Sequence, residues 1–410
     1  MPVFVSTNAG SSSVKLSAFV VEQGQPPKQI ANCQISNLTE QKKELKYSRY
    51  GRTVTENDGI TQSIDDISDA FRLLIDKLVD DDKLKEIQQW QDISVVCHRV
   101  VHGGDFETPQ VVTDKTFHDL EQLVDLAPLH NTSALSIIKA SRKELPTAKN
   151  IACFDSEYHT TIPKHISTYP IDPEIAKKNR LRKYGFHGLS YSFIARASAK
   201  CVNKPLDNVN LIALHLGSGA SACAIKGGKS WDTSMGLTPV AGLPGATRSG
   251  SIDPSLVFHY TSEAGRLSSS STNKMHISHA EEILNKQSGW KALTGTTDFG
   301  SISQCTQPQH QLAFDIFVDR VCAYIGSYYV SLGGQVDALV FAGGIGEKSA
   351  RLRQAVVNGV SCLGFAIKDE YNERGPTATV EDISGTASKH SVLICQTDEE
   401  LEMVRKCIDL

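Results

Sequence analysis

The amino-acid sequence predicts an α/β fold with two domains that are related by duplication. Short β-branched runs alternate with stretches whose apolar residues recur every three or four positions, which is typical of strands and helices packed in layers. The segments VFVSTNAGSSSVKLSAF, at the start, and IALHLGSGASACAIKGG, from Ile212, share a strand, a turn of small residues and a second strand. The length of 410 residues fits two or three domains. Two similar hairpins without duplication are the alternative explanation.

Each predicted element follows from a local pattern. Five short apolar runs are typical of buried strands, and several of them end in a turn of small residues: residues 3–6, 94–97, 150–154, 210–215 and 337–341. Two longer segments, residues 67–78 and 312–332, have apolar residues at helical spacing. The charged stretch 41–52 and the serine-rich stretch 267–273 predict solvated loops or an exposed hairpin.

Charge and composition disfavour several classes of function. The formal net charge is -4, and the basic residues are scattered rather than gathered in a stripe, so we expect neither nucleic acid nor an anionic membrane as a partner. No apolar run is long enough to cross a bilayer, and the first residues do not resemble a signal peptide. The ten cysteines are widely spaced, without CxxC pairs or zinc-ligand spacing. These patterns predict a cytoplasmic protein with reduced thiols.

The first turn of small residues is a candidate anion site. It combines Asn8, Ser11, Ser13 and nearby Lys15, whose amide, hydroxyl and ammonium groups could hold phosphate oxygens. It lacks the GxxxxGK[ST] pattern of a Walker A loop. An ordinary hairpin turn of similar composition is an equally good interpretation.

Two arginines stand in segments that favour ligand binding. Arg99 lies in HRVVHGG, where a guanidinium adjoins a glycine pair at the end of an apolar strand. Arg248 lies in residues 233–254, a long segment rich in glycine and proline and without helical periodicity, and such segments are usually functional or disordered. The apolar content of that segment argues against disorder.

Three further segments add chemistry near strand ends. Asp155 follows the strand NIACF, and His187 stands between small residues in YGFHG, although a helix cap and a structural histidine explain them equally well. The glycine loop FAGGIGE, from Phe341, follows a strand and precedes a helical stretch, which suits close approach of a nucleotide to the backbone.

Taken together, these segments resemble the acetate kinase family, a branch of the superfamily of acetate and sugar kinases, Hsp70 and actin. The resemblance covers nearly the whole chain, with these blocks in family order: NAGSSSVK, HRVVHGG, APLHN, FDSEYH, YGFHGLS, HLGSGAS, DTSMGLTP, TRSGSIDP, GGIGE and TDEEL. It implies reversible, Mg²⁺-dependent, in-line transfer of a phosphoryl group between ATP and acetate, giving acetyl phosphate and ADP.

The resemblance also implies an architecture. We expect two ribonuclease H-like domains of the actin-like ATPase kind, with an active-site cleft between them. The first would comprise residues 1–156 with 396–410, and the second, nucleotide-binding domain would comprise residues 157–395. The family forms homodimers, so a homodimer is expected here.

The family's site residues are carried over position by position. Arg99 and Arg248 would orient the carboxylate and stabilise the transferring phosphoryl group, and His187 would donate a hydrogen bond to it. Asn8 would contact phosphate, supported by Ser11, Ser13 and Lys15. Carboxylates at Asp155 and Glu399 would place Mg²⁺, for which Mn²⁺ could substitute, and Asn8 is also assigned to the metal site.

The resemblance further implies two binding pockets. The acetate methyl group would contact Val101, Leu129, Phe186 and Pro239, with a modest preference for acetate over propionate. The nucleotide would contact residues of the glycine turns and loops: His215, Gly217, Ser218, Gly219, Asp298, Gly344, Ile345, Gly346 and Lys348. His130 and His215 match family histidines whose role is either supporting or catalytic.

The sequence departs from the usual bacterial pattern mostly on the nucleotide side. Ser218 and Lys348 stand where asparagine is usual, and Gly300 stands where an arginine follows the acid corresponding to Asp298. Tyr191 stands where histidine is common. These departures indicate a eukaryotic, fungal branch. They leave open a propionate kinase, a pyrophosphate-using relative and a non-catalytic ATPase of the superfamily.

Overall fold

The computed structural model describes residues 1–10, 13–38, 40, 43–60, 64, 66–123, 128–271 and 277–410, without the side chains of residues 56–59 and 128–130. The chain divides into two compact units. The first comprises Met1–Glu157 together with Asp398–Leu410, and the second comprises Tyr158–Thr397.

The strands and helices follow one another along the chain as the sequence patterns predict. The strands are β1 (Val3–Ala9), β2 (Val14–Val20), β3 (Lys28–Ser36), β4 (Glu44–Arg49), β5 (Arg52–Gly59), β6 (Ile93–Val100), β7 (Gln110–Val111), β8 (Lys149–Phe154), β9 (Leu211–Leu216), β10 (Ala220–Lys226), β11 (Lys229–Thr233), β12 (Ala338–Ala342), β13 (Val380–Asp382) and β14 (Ser391–Cys395). The helices are α1 (Ile67–Val79), α2 (Asp114–Gln122), α3 (Pro128–Glu144), α4 (Lys164–Ser167), α5 (Pro173–Lys178), α6 (Gly188–Cys201), α7 (Leu256–Tyr260), α8 (His279–Lys286), α9 (Gly289–Thr294), α10 (Phe299–Gln304), α11 (Pro308–Ser331), α12 (Gly343–Lys348), α13 (Ala350–Gly359), α14 (Asp369–Arg374) and α15 (Glu399–Cys407).

The first unit is built on a mixed sheet whose described strands lie in the order β5-β4-β3-β2-β1-β6-β8-β7. Strands β1 to β5 pair antiparallel, β6 and β8 continue the sheet parallel to β1, and β7 is an antiparallel edge strand. Val3 and Val5 contribute to the core formed with α1 and α3, because alternate residues of a strand point to the same face. The C-terminal helix α15 lies against β1, β6 and β8.

Helix α1 shows how the sequence specifies these elements. Its residues Phe71, Leu74, Ile75 and Leu78 recur at three- and four-residue spacing and are all fully buried. The carboxylate of Asp66 accepts a hydrogen bond from the backbone N–H of Asp69 at 2.9 Å, which caps the first turn of the helix. Burial of the apolar face therefore stabilises the helix, and the Asp66 cap sets the residue at which it begins.

The second unit is built on a sheet whose described strands lie in the order β11-β10-β9-β12-β14-β13. Strands β9 to β11 pair antiparallel, β12 and β14 are parallel to β9, and β13 is an antiparallel edge strand. One face of the sheet packs on the long helix α11 with aromatic residues such as Trp290, Phe299 and Phe317. Helix α6 lies against β9, β12 and β14.

The two sheets have the same topology. Strands β3-β2-β1-β6-β8-β7 of the first unit correspond, one by one and with the same directions, to β11-β10-β9-β12-β14-β13 of the second. Helices α15 and α6 cover corresponding sets of three strands. The small-residue turns correspond as well, because the N–H of Gly10 donates to the Ser13 carbonyl at 2.9 Å and that of Gly217 to the Gly219 carbonyl at 3.1 Å. The predicted duplication is therefore confirmed.

Some details differ from the sequence expectations. The glycine loop after β12 is not an open loop, because residues 343–348 form the short helix α12. Gly343 has φ +74°, and a Cβ at this position would lie 2.8 Å from the Leu216 carbonyl oxygen, so only glycine fits there. The charged stretch near residue 44, by contrast, forms the paired strands β4 and β5, which is the hairpin of the two predicted alternatives. Within the described ranges, no helix has the length and hydropathy needed to cross a membrane.

Candidate active site

Arg99 and Asp155 meet at the ends of two parallel strands in the first unit. Arg99 is the second-last residue of β6, and Asp155 directly follows β8, the neighbouring strand. Arg99 donates from Nη2 to Asp155 Oδ2 at 2.6 Å and from Nε to Oδ1 at 3.1 Å. Asp155 is fully buried. This two-point pairing fixes the plane of the guanidinium as well as its position.

Further charged and polar groups surround this pair. Arg99 Nη1 donates to Asn8 Oδ1 at 3.1 Å, and Glu399 Oε2 lies 3.4 Å from Arg99 Nε. Lys15, which pairs with Asn8 across the β1–β2 hairpin, lies 2.9 Å from Glu400 Oε1. We call these residues the Arg99 cluster: Asn8, Lys15, Arg99, Asp155, Glu399 and Glu400. Of the predicted site residues, Asn8, Asp155 and Glu399 contact Arg99 directly. Lys15 joins the cluster through Asn8 and Glu400.

The electrostatics of the Arg99 cluster are dominated by burial and by its acids. Burial lowers the pKa of Arg99, but the carboxylates of Asp155 and Glu399 outweigh it and hold this pKa above its usual value. Burial raises the pKa of Glu399, which the Arg99 charge opposes and Glu400 reinforces. The cluster therefore carries more acidic than basic groups, and its negative charge is partly uncompensated.

The Arg99 cluster offers the donor set that a hard divalent cation prefers. Asp155, Glu399 and Asn8 present carboxylate and amide oxygens, which suit Mg²⁺. In the described part of the chain, no three His, Cys, Asp or Glu side chains are grouped to hold a metal ion. A cation with only one or two carboxylate ligands would complete its shell with water and phosphate oxygens, as Mg²⁺ commonly does. The residues present fit magnesium bound in that way.

In the second unit, Arg248 and His187 adjoin the turn between β9 and β10. A Cβ placed on Gly219 would lie 2.4 Å from Arg248 Nη2 and 3.8 Å from His187 Nε2. Arg248 Nη1 donates to the carbonyl of Pro239 at 3.2 Å. The absence of a side chain at Gly219 thus allows a cation and an imidazole to lie together. We call the residues Phe186, His187, His215, Gly219 and Arg248 the Arg248 cluster.

His187 has an unusual backbone. It is the residue before helix α6 and has φ 58° and ψ 24°, in the left-handed region that few non-glycine residues adopt. Such conformations occur preferentially at functional sites. Its Nδ1 lies 2.8 Å from Ser221 Oγ, and its ring lies 4.2 Å, centroid to centroid, from that of His215. His215 Nδ1 in turn lies 2.7 Å from Ser190 Oγ.

The irregular segment that carries Arg248 is held by backbone hydrogen bonds. The Ala246 N–H donates to the Ser218 carbonyl at 2.8 Å, and the Gly245 N–H donates to the Arg248 carbonyl at 3.0 Å. A Cβ at Gly245 would lie 2.7 Å from the Ser218 oxygen, so glycine permits this close approach. The glycines of this segment therefore join it to the turn at residues 217–219.

A cavity of about 570 Å³ lies in the second unit next to the glycine turn. Six of the residues that sequence reasoning connected with the nucleotide side line it: Ser218, Asp298, Gly300, Gly344, Ile345 and Lys348. Sequence reasoning missed the other lining residues, which include Trp290, Gln304 and Arg351. Asp298 also caps helix α10, because its carboxylate accepts from the N–H groups of Gly300 and Ser301 at 3.0 Å each.

The remaining predicted residues are placed as follows. Val101 is half-buried in the first unit, whereas Phe186 and Pro239 are buried in the second. Ser13 is half-buried and accepts the Gly10 N–H, while Gly217 closes the second turn and Gly346 is buried in α12. Ser11 and the side chains of Leu129 and His130 lie outside the described residues.

Two buried residues that support the site were missed by sequence reasoning. Asn131 makes a reciprocal pair with the backbone of His102, accepting its N–H at 3.0 Å and donating to its carbonyl at 2.9 Å. His159 bridges Ser230 Oγ, at 2.7 Å, and the carbonyl of Phe186, at 2.9 Å, so it holds the backbone just before His187. Asn131 lies in APLHN and His159 lies in FDSEYH, two of the sequence blocks that carry the family resemblance. Membership of these blocks is the sequence feature that could have identified them.

The glycine pair beside Arg99 has a packing explanation. A Cβ at Gly103 would lie 2.5 Å from Phe154, and one at Gly104, which has φ +57°, would lie 2.6 Å from Leu123. Both glycines therefore let the backbone pass close to core side chains. Their presence is not by itself a sign of a ligand.

Comparison with known proteins gives the family of the chain. The sequence matches the model of the Acetokinase family over residues 3–405. A probable acetate kinase from Chaetomium globosum is 54% identical, covering 99% of this chain and 98% of its own length. The predicted likeness to fungal members is thereby confirmed.

Solved structures give the same result. A propionate kinase from Francisella tularensis superposes with a TM-score of 0.85 at 31% identity, covering 99% of each chain. The acetate kinase of Porphyromonas gingivalis superposes with a TM-score of 0.82 at 30% identity, covering 100% of this chain and 99% of its own. The fold class predicted from the sequence is confirmed. By sequence over nearly its whole length and by fold, the chain belongs to the acetokinase family, whose members are phosphotransferases with a carboxylate as acceptor.

Proposed function

We propose that this chain is an acetate kinase, which transfers the γ-phosphoryl group of ATP to acetate and catalyses the reverse reaction from acetyl phosphate and ADP. The observation that carries the proposal is that a cation and an imidazole meet beside one glycine: a Cβ on Gly219 would lie 2.4 Å from Arg248 Nη2 and 3.8 Å from His187 Nε2. Their hydrogen-bond donors could stabilise the charge on the oxygens of a transferring phosphoryl group.

The Arg99 cluster supports the proposal from the first unit. The guanidinium of Arg99, fixed in plane by Asp155, presents a positive charge that could orient a carboxylate acceptor. Acetate is already ionised at neutral pH, so its oxygen can attack without a strong general base. In-line transfer requires the acceptor oxygen and the phosphoryl group to be held in a near-attack geometry.

We also propose that the enzyme binds Mg²⁺ in its active site. Asp155 and Glu399, with Asn8 beside them, would hold it, and its chemistry would be to neutralise charge on the nucleotide phosphates. Manganese, which accepts the same oxygen ligands, would substitute for it. The protein's own groups would still orient the acceptor through Arg99 and donate hydrogen bonds through Arg248 and His187.

The acceptor and donor pockets are proposed from the same residues. Phe186 and Pro239 are buried apolar residues of the second unit and would contact the acetate methyl group together with Val101 and Leu129. A preference for acetate over propionate would be modest, because one methylene is worth about 1 to 3 kcal/mol in an apolar pocket. A propionate kinase is the second candidate, favoured by the likeness to the Francisella enzyme.

A single assay separates these candidates. Hydroxylamine trapping of the acyl phosphate is measured with acetate and propionate as acceptors and with ATP, GTP and pyrophosphate as donors. We expect hydroxamate from acetate and a nucleotide, with a higher kcat/KM than from propionate. A higher kcat/KM with propionate than with acetate would identify a propionate kinase. A higher kcat/KM with pyrophosphate than with a nucleotide would identify a pyrophosphate-using relative. Nucleotide binding without hydroxamate formation from any donor would identify a non-catalytic superfamily ATPase instead.

The assembly and compartment are also proposals. A homodimer is supported by apolar side chains that α7 and its surroundings leave exposed, Phe258 at 74%, Tyr260 at 63% and Leu267 at 63%. Sedimentation analysis of the purified chain tests it, since a single species at the monomer mass contradicts it. We propose the cytoplasm as the compartment, and residues 1–156 with 396–410, and 157–395, as the two functional domains.

A further inference from the structure

A buried chain of hydrogen bonds ends on the imidazole of His187. Tyr191 Oη lies 2.5 Å from Ser221 Oγ, and Ser221 Oγ lies 2.8 Å from His187 Nδ1. Tyr191 and Ser221 are both fully inaccessible to solvent. Tyr191 stands on the first turn of α6, and Ser221 stands on β10, opposite His215. Solvent water therefore does not contact these hydroxyl groups, and each must use its own proton in this chain.

The direction of donation along this chain follows from chemistry. A phenol is a far stronger acid than an alcohol, so in a short contact between the two the phenol donates and the alcohol accepts. Ser221 then has one proton left, and its remaining partner is His187 Nδ1. Nδ1 must therefore accept.

We infer that Tyr191 and Ser221 hold neutral His187 in the tautomer whose proton is on Nε2. Nε2 is the ring nitrogen that faces Gly219 and Arg248, so the relay points a hydrogen-bond donor toward the proposed position of the phosphoryl oxygens. Tyr191 and Ser221 are thus positioning residues that act through His187. The kinetic part of this inference rests on the proposed function, whereas the tautomer itself does not.

The groups that surround His187 favour its neutral form. The guanidinium of Arg248 adjoins it, and a positive neighbour disfavours protonation of an imidazole. The ring of His215 lies 4.2 Å away on β9, and the ring of His159 packs edge-on against Tyr191 at 5.7 Å. An imidazolium at His187 would also need an acceptor for its Nδ1–H. The Ser221 hydroxyl would then have to accept from Nδ1 and donate to Tyr191, which reverses the direction of both hydrogen bonds.

The relay has a consequence for activity that depends on pH. With the relay intact, Nε2 carries a proton in the neutral form and in the imidazolium alike. Without it, the neutral imidazole divides between two tautomers, and the one protonated on Nδ1 has no donor toward the phosphoryl oxygens. A variant without the relay therefore loses activity as the pH rises and His187 becomes neutral, and it recovers as the pH falls.

The direct test is nitrogen NMR of the full-length protein labelled with ¹⁵N-histidine, with the His187 signals assigned by their loss in His187→Gln. We expect Nε2 to be protonated and Nδ1 unprotonated in the wild-type protein at about pH 8. In Tyr191→Phe we expect a mixture of tautomers. A wild-type signal with the proton on Nδ1 would overturn the inference, whatever the enzymatic activity proves to be.

The kinetic test compares Tyr191→Phe with a matched buried tyrosine. Tyr328 is 1% exposed, lies in the same unit, and its hydroxyl has no hydrogen-bond partner among the described residues, so Tyr328→Phe removes an oxygen without touching the relay. We expect Tyr191→Phe to lower kcat about threefold at about pH 8.5, with a smaller loss on the acid limb of the pH profile, where His187 gains its second proton, and little change in KM. Tyr328→Phe should follow the wild type at every pH.

A second relay variant guards against a folding defect in the first. Ser221→Ala should reproduce the alkaline loss, and Tyr191→Phe with Ser221→Ala should be no worse than Ser221→Ala alone, because the two hydroxyls act in series. Equal loss at all pH values, or additive losses in the double variant, would mean that these residues act only through packing, and the inference would then be wrong.

Discussion

Asp155 binds Arg99 through both of its carboxylate oxygens, and it is fully buried while the guanidinium retains 19% exposure. The buried anion thus fixes a cation that is itself partly accessible to solvent. Removing the charge of Asp155 therefore disturbs both the stability of the first unit and the orientation of the proposed acceptor site.

Asp155→Asn should lower the free energy of unfolding by about 3 kcal/mol, because the Arg99 charge then loses its two-point carboxylate partner in a partly buried site. Urea denaturation measures this. The control is Asp114→Asn, whose carboxylate is 95% exposed and pairs with Arg142 at the surface. That change should alter stability by less than about 0.5 kcal/mol. Equal effects of the two substitutions would mean that the Arg99–Asp155 pair adds no stability.

Arg248→Ala should reduce turnover about 10³-fold or more, equivalent to about 4 kcal/mol of transition-state stabilisation, because the guanidinium beside Gly219 would be lost. Steady-state kinetics in the direction of acetyl phosphate formation measure it. Arg266→Ala, at an arginine whose side chain is 75% exposed, serves as the control and should leave kcat unchanged. A loss below tenfold for Arg248→Ala contradicts the role proposed for this residue.

Gly219→Ala should reduce turnover about 100-fold while leaving the fold intact. The new methyl group would lie 2.4 Å from Arg248 Nη2, and the end of a flexible side chain moves more readily than the backbone, so the guanidinium should be displaced. Gly326→Ala is the matched control, because a Cβ there meets no atom within 4 Å and the residue lies inside α11. It should raise stability by about 1 kcal/mol and leave turnover unchanged.

Two buried histidines should make the protein less stable in mild acid. Burial lowers the pKa of His98 and of His159 to about 4 each, below the value of about 6.5 for an unfolded histidine. The unfolded state therefore binds more protons between about pH 6.5 and 4. Each histidine contributes stability that is present above about pH 6.5 and falls by about 1.4 kcal/mol per pH unit in that window.

Urea denaturation at several pH values tests this dependence. His159→Gln should show a shallower loss of stability between about pH 6.5 and 5 than the wild type, whatever its stability at neutral pH. The control is His118→Gln, at a histidine that is 69% exposed, and it should retain the wild-type slope. An unchanged slope in His159→Gln would mean that His159 is not kept neutral by burial.

Discrimination among nucleotide donors should be loose. Gly300 and Lys348 both line the cavity of the second unit, and an ammonium can donate to a base carbonyl but cannot accept from an adenine amino group. We expect ATP and GTP to give kcat/KM values within about tenfold of each other. Lys348→Asn should shift the ratio about threefold toward ATP, with the KM for acetate unchanged. A strict preference of the wild type for ATP would reject this interpretation.

Local patterns predicted more of the fold than of the site. The apolar faces and strand periodicity gave α1, α11 and the central strands, because burial dictates residue type along each element. The likeness of the turns after Ala9 and Leu216 predicted the matching sheets. The helical form of residues 343–348 was not predicted, since three glycines there outweigh any local helical preference.

The supporting residues of the site could not be predicted for a related reason. The proposed role of Ser221 and Tyr191 depends on a hydrogen bond between a strand and a helix. No spacing along the chain predicts that contact. Asn131 and His159 likewise bind backbone groups many residues away. Arg99 and Asp155, by contrast, were recognisable because each stands at a strand end inside a longer block of residues.

Helix α15 has a consequence for the synthesis of the protein. It covers β1, β6 and β8 and brings Glu399 and Glu400 to Arg99 and Lys15, yet it is translated only after the whole of residues 158–397. A ribosome-bound nascent chain thus exposes the uncovered face of its earliest sheet while the second unit is being made. The second unit can reach its final form first, and Glu399 and Glu400 join the Arg99 cluster last.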